Sequence, residues 1–538
     1  MEGNRMKTNK IIIVGGGSAG WMTAATLIKA FPSKDISVIE SKDVPIIGVG
    51  ESTIGGIRTW TRYIGLNEST FFPETDASLK LSIKFTDFYK KDSGSFHYPF
   101  GSPLPITKEN PFFEWQLKKY FYPQTEVQDF VRCMFPAAAL FENNKFSLNE
   151  YGQFDNFNPD NDVAYHFDAT KFGSWLKRNY CIPRGVKHIE ATVVEINSNN
   201  DGISNLKLDN GLEISADLFV DCTGFKSILL SGELEEEFDS FADMLPNNKA
   251  WATRLQYKDK ESELEGFTNC TALGNGWAWN IPLWSRLGTG YVYSDKFISK
   301  EDAKEEFKQY LMSDKMIIPR TKEEVDSLEF KDITMRVGIH KRTFVKNVVA
   351  IGLSAGFIEP LESNGLFSVH EFLFKLVDIL QREEISEFDR YMYNTSVREL
   401  FETFARFVAL HYALSHRDDT EYWRDINKKD FVSSLPHKES DGIIGFYNMM
   451  WRYMTEWGHP LSSAGISYIS TGMNINMFNE ARIMNLSYRY GDLKKIAHDA
   501  IYIWELNKDK WNKAADESET LYSFLKNNFY GGDFDFGV

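Results

Sequence analysis

The residues Gly15-Gly16-Gly17-Ser18-Ala19-Gly20 fit the pattern G-x-G-x-x-G, and Glu40 follows twenty residues after the last glycine. Residue types at this spacing suit the holding of a dinucleotide. Gly15 permits a tight turn, Gly17 lets backbone approach a pyrophosphate, and Gly20 allows close packing of a helix whose N-terminus, at Ser18 and Ala19, faces the phosphates; Glu40 accepts hydrogen bonds from an adenosine ribose. Taken alone the pattern is weak, because a Gly-rich turn also serves purely structural ends. Its setting and two further segments strengthen it. Asp217-Leu-Phe-Val-Asp-Cys-Thr-Gly224 and Asn347-Val-Val-Ala-Ile-Gly-Leu-Ser-Ala355 are apolar runs that end at small residues, as backbone passing close to a flavin requires. Each by itself is equally a buried strand with a turn; together with the first motif they favour FAD over NAD. No second G-x-G-x-x-G is present for a nicotinamide cofactor, so the flavin is expected to be reduced by a separate flavin reductase.

The elements that must position these residues are legible. Residues 10–14 are a short β-branched run ending in glycines, the mark of a buried parallel strand. Ser18 to Ala30 predicts a helix with Trp21, Ala24, Ala25 and Ile28 on one face and Pro32 just beyond its end. Residues 35–40 predict the strand that completes βαβ. Further strands are expected at 216–221 and 347–351. Alternating Val/Ile patterns at 191–196 and after the hairpin signal Asn210-Gly211 point to a mixed-sheet insertion. From 366 onward amphipathic stretches such as Glu387 to Ala413 predict helix. The expected fold is therefore α/β: a glutathione-reductase-like, FAD-binding Rossmann domain with an inserted mixed sheet over 1–365, and a mostly helical substrate-side module over 366–538.

The 538 residues are 43% hydrophobic and 25% charged, an ordinary globular composition rich in aromatics. The net charge of −16 opposes phosphate backbones and anionic membranes, so neither nucleic acid nor a membrane is an expected partner. No run of about eighteen apolar residues offers a membrane span, and a cytoplasmic location is expected. Cys133, Cys181, Cys222 and Cys270 show no C-x-x-C spacing, which predicts reduced structural thiols and no metal. The sequon at Asn67 is then fortuitous.

Gly276-Trp277-Ala278-Trp279-Asn280-Ile281-Pro282 resembles the G-W-x-W-x-I-P signature of the flavin-dependent (tryptophan) halogenases. The resemblance extends to Gly48-Val-Gly-Glu-Ser-Thr53, similar to that family's flavin-to-substrate strap, and to Ser78-Leu-Lys-Leu-Ser-Ile-Lys-Phe85, similar to its lysine segment. It continues through Tyr165-His-Phe-Asp168, Phe357-Ile-Glu-Pro-Leu-Glu-Ser-Asn-Gly365, Phe407-Val-Ala-Leu-His-Tyr412 and Arg417-Asp-Asp-Thr420, covering roughly residues 10–425. It implies that FADH2, O2 and halide give hypohalous acid, which halogenates an aromatic substrate at a separate pocket. Lys80 is implied as the lysine that meets the oxidant, and Glu362 as the carboxylate that orients it or accepts the ring proton. Ser363, Asn364 and Gly365 are implied to bind halide. Trp277 and Trp279, otherwise plain buried aromatics, become a barrier between flavin and substrate. The flavin contacts carried over are Gly15, Gly17, Ser18, Ala19, Gly20, Glu40, Ser52, Val193, Leu353 and Leu366.

Two departures bear on specificity. Asn364 stands where the family has Thr, which puts halide preference in question. The C-terminal region reads Phe446-Tyr447-Asn448-Met449-Met450-Trp451 and Glu456-Trp457, without the Tyr-Tyr, Glu and Phe-Trp cluster that grips free tryptophan, and Tyr98-Pro99-Phe100 has Tyr for His. An indole, phenol or other electron-rich arene is therefore expected in place of free tryptophan. Two other readings compete: an FAD-dependent aromatic hydroxylase and a flavin-binding scaffold without turnover. Lys80 with the Trp pair argues against the first, and Lys80 with Glu362 against the second. Subunit number is left open, a homo-oligomer included.

Overall fold

A computed structural model describes residues 6–43, 51–104, 111–427, 462–476 and 478–531. The chain divides into two compact units, each assembled from three stretches: 1–77, 165–253 and 330–405 in the first, and 78–164, 254–329 and 406–538 in the second. The expected division at residue 365 follows sequence order and element type, a different kind of cut from one made by contact.

The run at 10–14 forms the strand Lys10–Val14 within a six-stranded sheet of the first unit. The order is Phe344–Val345, Val348–Ala350, Leu218–Asp221, Lys10–Val14, Asp35–Glu40, Lys187–Glu190. Every neighbouring pair is parallel except the edge hairpin 344–349. Ile11, Ile12, Ile13, Phe219 and Val220 are all buried, so these strands read as unbroken apolar runs. The helix Ser18–Ala30 has the bounds its pattern predicts and packs on Ala169–Trp175 and Gly365–Leu380. The expected strands at 216–221 and 347–351 appear as Leu218–Asp221 and Val348–Ala350, side by side.

The hairpin signal at Asn210-Gly211 joins Gly202–Leu208 to Glu213–Ile214, with Gly211 at φ +85°. Val193–Asn199 completes a three-stranded sheet that is wholly antiparallel, because such short connections cannot cross over. Beyond the antiparallel edge of the six-stranded sheet, mixed pairing arises in the second unit. There Ser82–Thr86 pairs in parallel with Phe267–Ala272, while Ser95–Pro99, Gly276–Pro282 and Leu287–Tyr293 add antiparallel strands. Beyond Phe357 the regular elements among the described residues are helices, including Glu387–Ala413 with the expected bounds. Among the described residues no helix is long and apolar enough to cross a membrane. All four cysteines are free and buried, and burial pushes the Cys133 thiol up to about 12.

Candidate active site

The Gly-rich turn is built by exclusion. Gly15 has φ +116°, and a Cβ there would stand 2.2 Å from the Cys222 carbonyl oxygen; one on Gly20 would stand 1.9 Å from the Gly15 carbonyl oxygen. Gly17 differs, since a Cβ there would meet no atom within 4 Å. Gly17 also caps the helix Ser18–Ala30 without any side-chain hydrogen bond, so no side chain at the cap competes for the first N–H groups of that helix. Ser18 spends its hydroxyl on the Ala169 carbonyl (2.8 Å), which anchors the turn. This is a cradle that fits a pyrophosphate.

The second and third motifs close on the first. Cys222 lies against Gly15, and a Cβ on Gly352 would stand 2.9 Å from Ala19 Cβ, which places the Gly352–Ser354 turn with Leu353 beside the fingerprint. The buried Asp221 carboxylate fixes this junction. It accepts hydrogen bonds from the N–H groups of Thr223 (3.0 Å), Leu229 (2.8 Å) and Leu230 (3.0 Å) and from the Thr223 hydroxyl (2.7 Å). Glu40 ends its strand as expected, its Oε2 held by Lys177 Nζ at 2.7 Å and His188 Nε2 at 2.9 Å. Ala191 N–H donates to the Glu40 carbonyl, which brings the strand beginning at Val193 to the same end of the sheet.

Ser363 sits at φ +58° between the short turn Pro360–Glu362 and the helix Gly365–Leu380. Its hydroxyl donates to Ser52 Oγ at 3.0 Å, so the described end of the strap and the expected halide loop meet directly. Asn364 precedes the helix; its side chain is buried and Oδ1 accepts no hydrogen bond. Glu362 is buried, and the neighbouring Glu359 accepts from Asn247 Nδ2 at 2.7 Å. Leu366 lies in the first turn of the same helix.

Lys80, Trp277 and Trp279 belong to the second unit. Lys80 ends the strand Ser78–Lys80, is fully buried, and places Nζ 5.1 Å from the centre of the Phe100 ring. The backbone around it is fixed: Leu81 N–H donates to the Gly266 carbonyl, and Phe100 N–H donates to the Leu81 carbonyl. Trp277 and Trp279 are both buried on the strand Gly276–Pro282, with ring centres 6.1 Å apart. Tyr98 packs edge-on against Phe407 and Tyr468, and a Cβ on Gly465 would stand 2.9 Å from its hydroxyl. Residues 48–50 of the strap, the segment 446–457 and the tail after Gly531 lie outside the described residues. Sequence reasoning missed Lys177, His188 and the anchoring role of Asp221. The fingerprint gives no local cue to the first two, Lys177 being 137 residues from Glu40.

A parallel sheet with a Gly-rich turn at its strand ends is the architecture of a dinucleotide-binding α/β fold. The chain matches the tryptophan halogenase family over residues 10–440. It belongs to that family of flavin-dependent halogenases. The tryptophan 6-halogenase ThaL of Streptomyces albogriseolus is 32% identical over 81% of this chain and 81% of its own. The tryptophan 7-halogenase RebH of Lentzea aerocolonigenes is 32% identical over 78% of each. Among solved structures, apo VirX1 is 35% identical with a TM-score of 0.88, covering 98% of this chain and 100% of its own. The tryptophan 6-halogenase SttH of Streptomyces toxytricini is 29% identical with a TM-score of 0.80, covering 96% and 99%.

Proposed function

We propose that this chain binds FAD and, with reduced FAD, O2 and halide, halogenates electron-rich aromatic or heteroaromatic substrates other than free tryptophan, at Lys80. The observation that carries the reading is the fully buried Lys80 held over the Phe100 ring, in a chain that also has a pyrophosphate cradle at Gly17. An ammonium in so dry a place polarises an oxidant strongly and holds it against one ring position. FAD would be held by Gly15, Gly17, Ser18, Ala19, Gly20, Glu40, Ser52, Val193, Leu353 and Leu366; bound and reduced, it supplies the hypohalous acid. Ser363, Asn364 and Gly365 hold halide, with donors at the N-terminus of the helix Gly365–Leu380. Glu362 orients the oxidant or takes the proton lost when the ring rearomatises. The Trp277 and Trp279 rings keep organic substrate from the flavin.

In the proposed division of labour the first 365 residues carry the cofactor and the chemistry, and the helical remainder shapes the substrate side. Tyr98 supports this, because it stands where free-tryptophan enzymes have His and packs against Phe407 and Tyr468 of the helical part. A separate flavin reductase supplies FADH2. The test is incubation with FAD, a flavin reductase, NADH and a panel of arenes that includes tryptophan, in chloride, bromide or iodide, followed by mass spectrometry. Halogenated arenes with tryptophan left unreacted support the reading. Products heavier by one oxygen identify a hydroxylase, and efficient halogenation of tryptophan removes the substrate assignment.

A further inference from the structure

The indole Nε1–H groups of Trp277 and Trp279 are buried and donate to nothing in the protein. Leaving a buried donor unsatisfied costs about 1–3 kcal/mol, so two such donors together call for a partner. They lie two residues apart on one strand and so on one face of the sheet. The residues across from them offer no side-chain acceptor of their own: Cys270 and Gly290 flank Trp279, and Ala272 and Val292 flank Trp277. The strand's carbonyls serve the two flanking ladders, and that of Trp279 also accepts from the Thr289 hydroxyl at 2.9 Å. Trp21 and Trp504 also have buried indole nitrogens without an acceptor, but each stands alone.

We infer that Trp277 and Trp279 form a two-donor docking point for a halide ion inside the second unit, apart from the halide loop at Asn364. The chemistry selects the ligand. Water brings hydrogens of its own that need acceptors, whereas an anion is satisfied by donors alone. A large, weakly hydrated halide enters an apolar wall at least desolvation cost, so iodide and bromide bind ahead of chloride. The strand of the basic Lys80 is tied to this one, because the Ser78 hydroxyl donates to the Pro282 carbonyl. The choice of halide rests on the halogenase reading; the existence of the donor pair does not.

The experiment is a bromide soak of crystals of the full chain, read by anomalous diffraction. Expected is a bromide peak in hydrogen-bonding contact with both Nε1 atoms. In Trp277→Phe and Trp279→Phe, which keep an aromatic ring and lose the N–H, its occupancy should fall several-fold while any bromide at Asn364–Gly365 stays. No peak at the indoles of the parent chain, or an equal peak in both variants, overturns the inference. Should the variants fail to fold, the parent map alone decides. Failure of the halogenase reading is seen separately, as bromide bound at the indoles with no halogenated arene in the mass spectra.

Discussion

At the scale of single residues the proposed halogenation turns on Lys80. Its Nζ packs over Phe100 and its strand belongs to the second unit, whereas the pyrophosphate cradle is built wholly from the first. Lys80→Ala should therefore lower halogenation by at least about a hundredfold, the scale of a lost catalytic group, while flavin-fluorescence titration gives an FAD affinity within a few-fold of the parent. Loss of FAD binding, or retained halogenation, would contradict the assignment. Asn364 governs a second outcome. In the proposed halide loop, a longer side chain than Thr, with a buried Oδ1 that accepts nothing, would make an imperfect anion site, and imperfect donors penalise the small, strongly hydrated chloride most. Bromide and iodide should outcompete chloride at equal concentration, and Asn364→Thr should recover chloride turnover; competition assays with mixed halides read both.

Among elements, the Gly-rich turn separates binding from folding. An Ala at position 17 meets nothing, since Gly17 has ordinary extended backbone at φ −75° and open space around it. Gly17→Ala should leave the melting temperature within about a degree, consistent with a surface-like change below about 0.5 kcal/mol, yet weaken FAD at least tenfold by filling the cradle. Gly20→Ala should do the reverse damage: its methyl collides with the Gly15 carbonyl, so the apoprotein itself is destabilised. Equal effects from the two would mean the turn is only structural. This turn, its strand and its helix were legible because period and punctuation are local properties of the sequence, and Ser18–Ala30 and Glu387–Ala413 match their patterns end to end. The mixed sheet was expected near residues 191–214 and is found around Ser82–Thr86 and Phe267–Ala272, because no local pattern reveals which distant strand becomes the neighbour. Lys80 was found through its resemblance to a family segment; as a lone lysine near Lys84 it carries no signal, and its burial is a property of the folded chain.

Over the whole molecule, stability should carry a distinct dependence on pH. Burial pushes the Glu265 carboxyl up to about 7 from an ordinary 4.5, with Lys84 opposing and Glu263 reinforcing the shift. Between these values the folded chain keeps a proton that the unfolded chain has released, so this contribution to stability is full below about pH 4.5 and lost as pH rises through about 7. Glu265→Gln should leave the melting temperature at pH 4.5 unchanged and raise it by a few degrees at pH 8, read by calorimetry at both pH values; a uniform shift would point to packing instead. The isolated protein should not oxidise NADH, since its single fingerprint is assigned to FAD, and stopped spectrophotometric assays with and without a reductase check this. The parallel pairing of Ser82–Thr86 with Phe267–Ala272 has a further consequence, in the life of the nascent chain. Ser82–Thr86, once it has left the ribosome, must wait for Phe267–Ala272 to be synthesised, roughly ten to forty seconds at elongation rates of about 5–20 residues per second. During that wait its edge is open to other chains, so the yield of active protein should depend on growth temperature and chaperone supply more than on the stability of the finished fold.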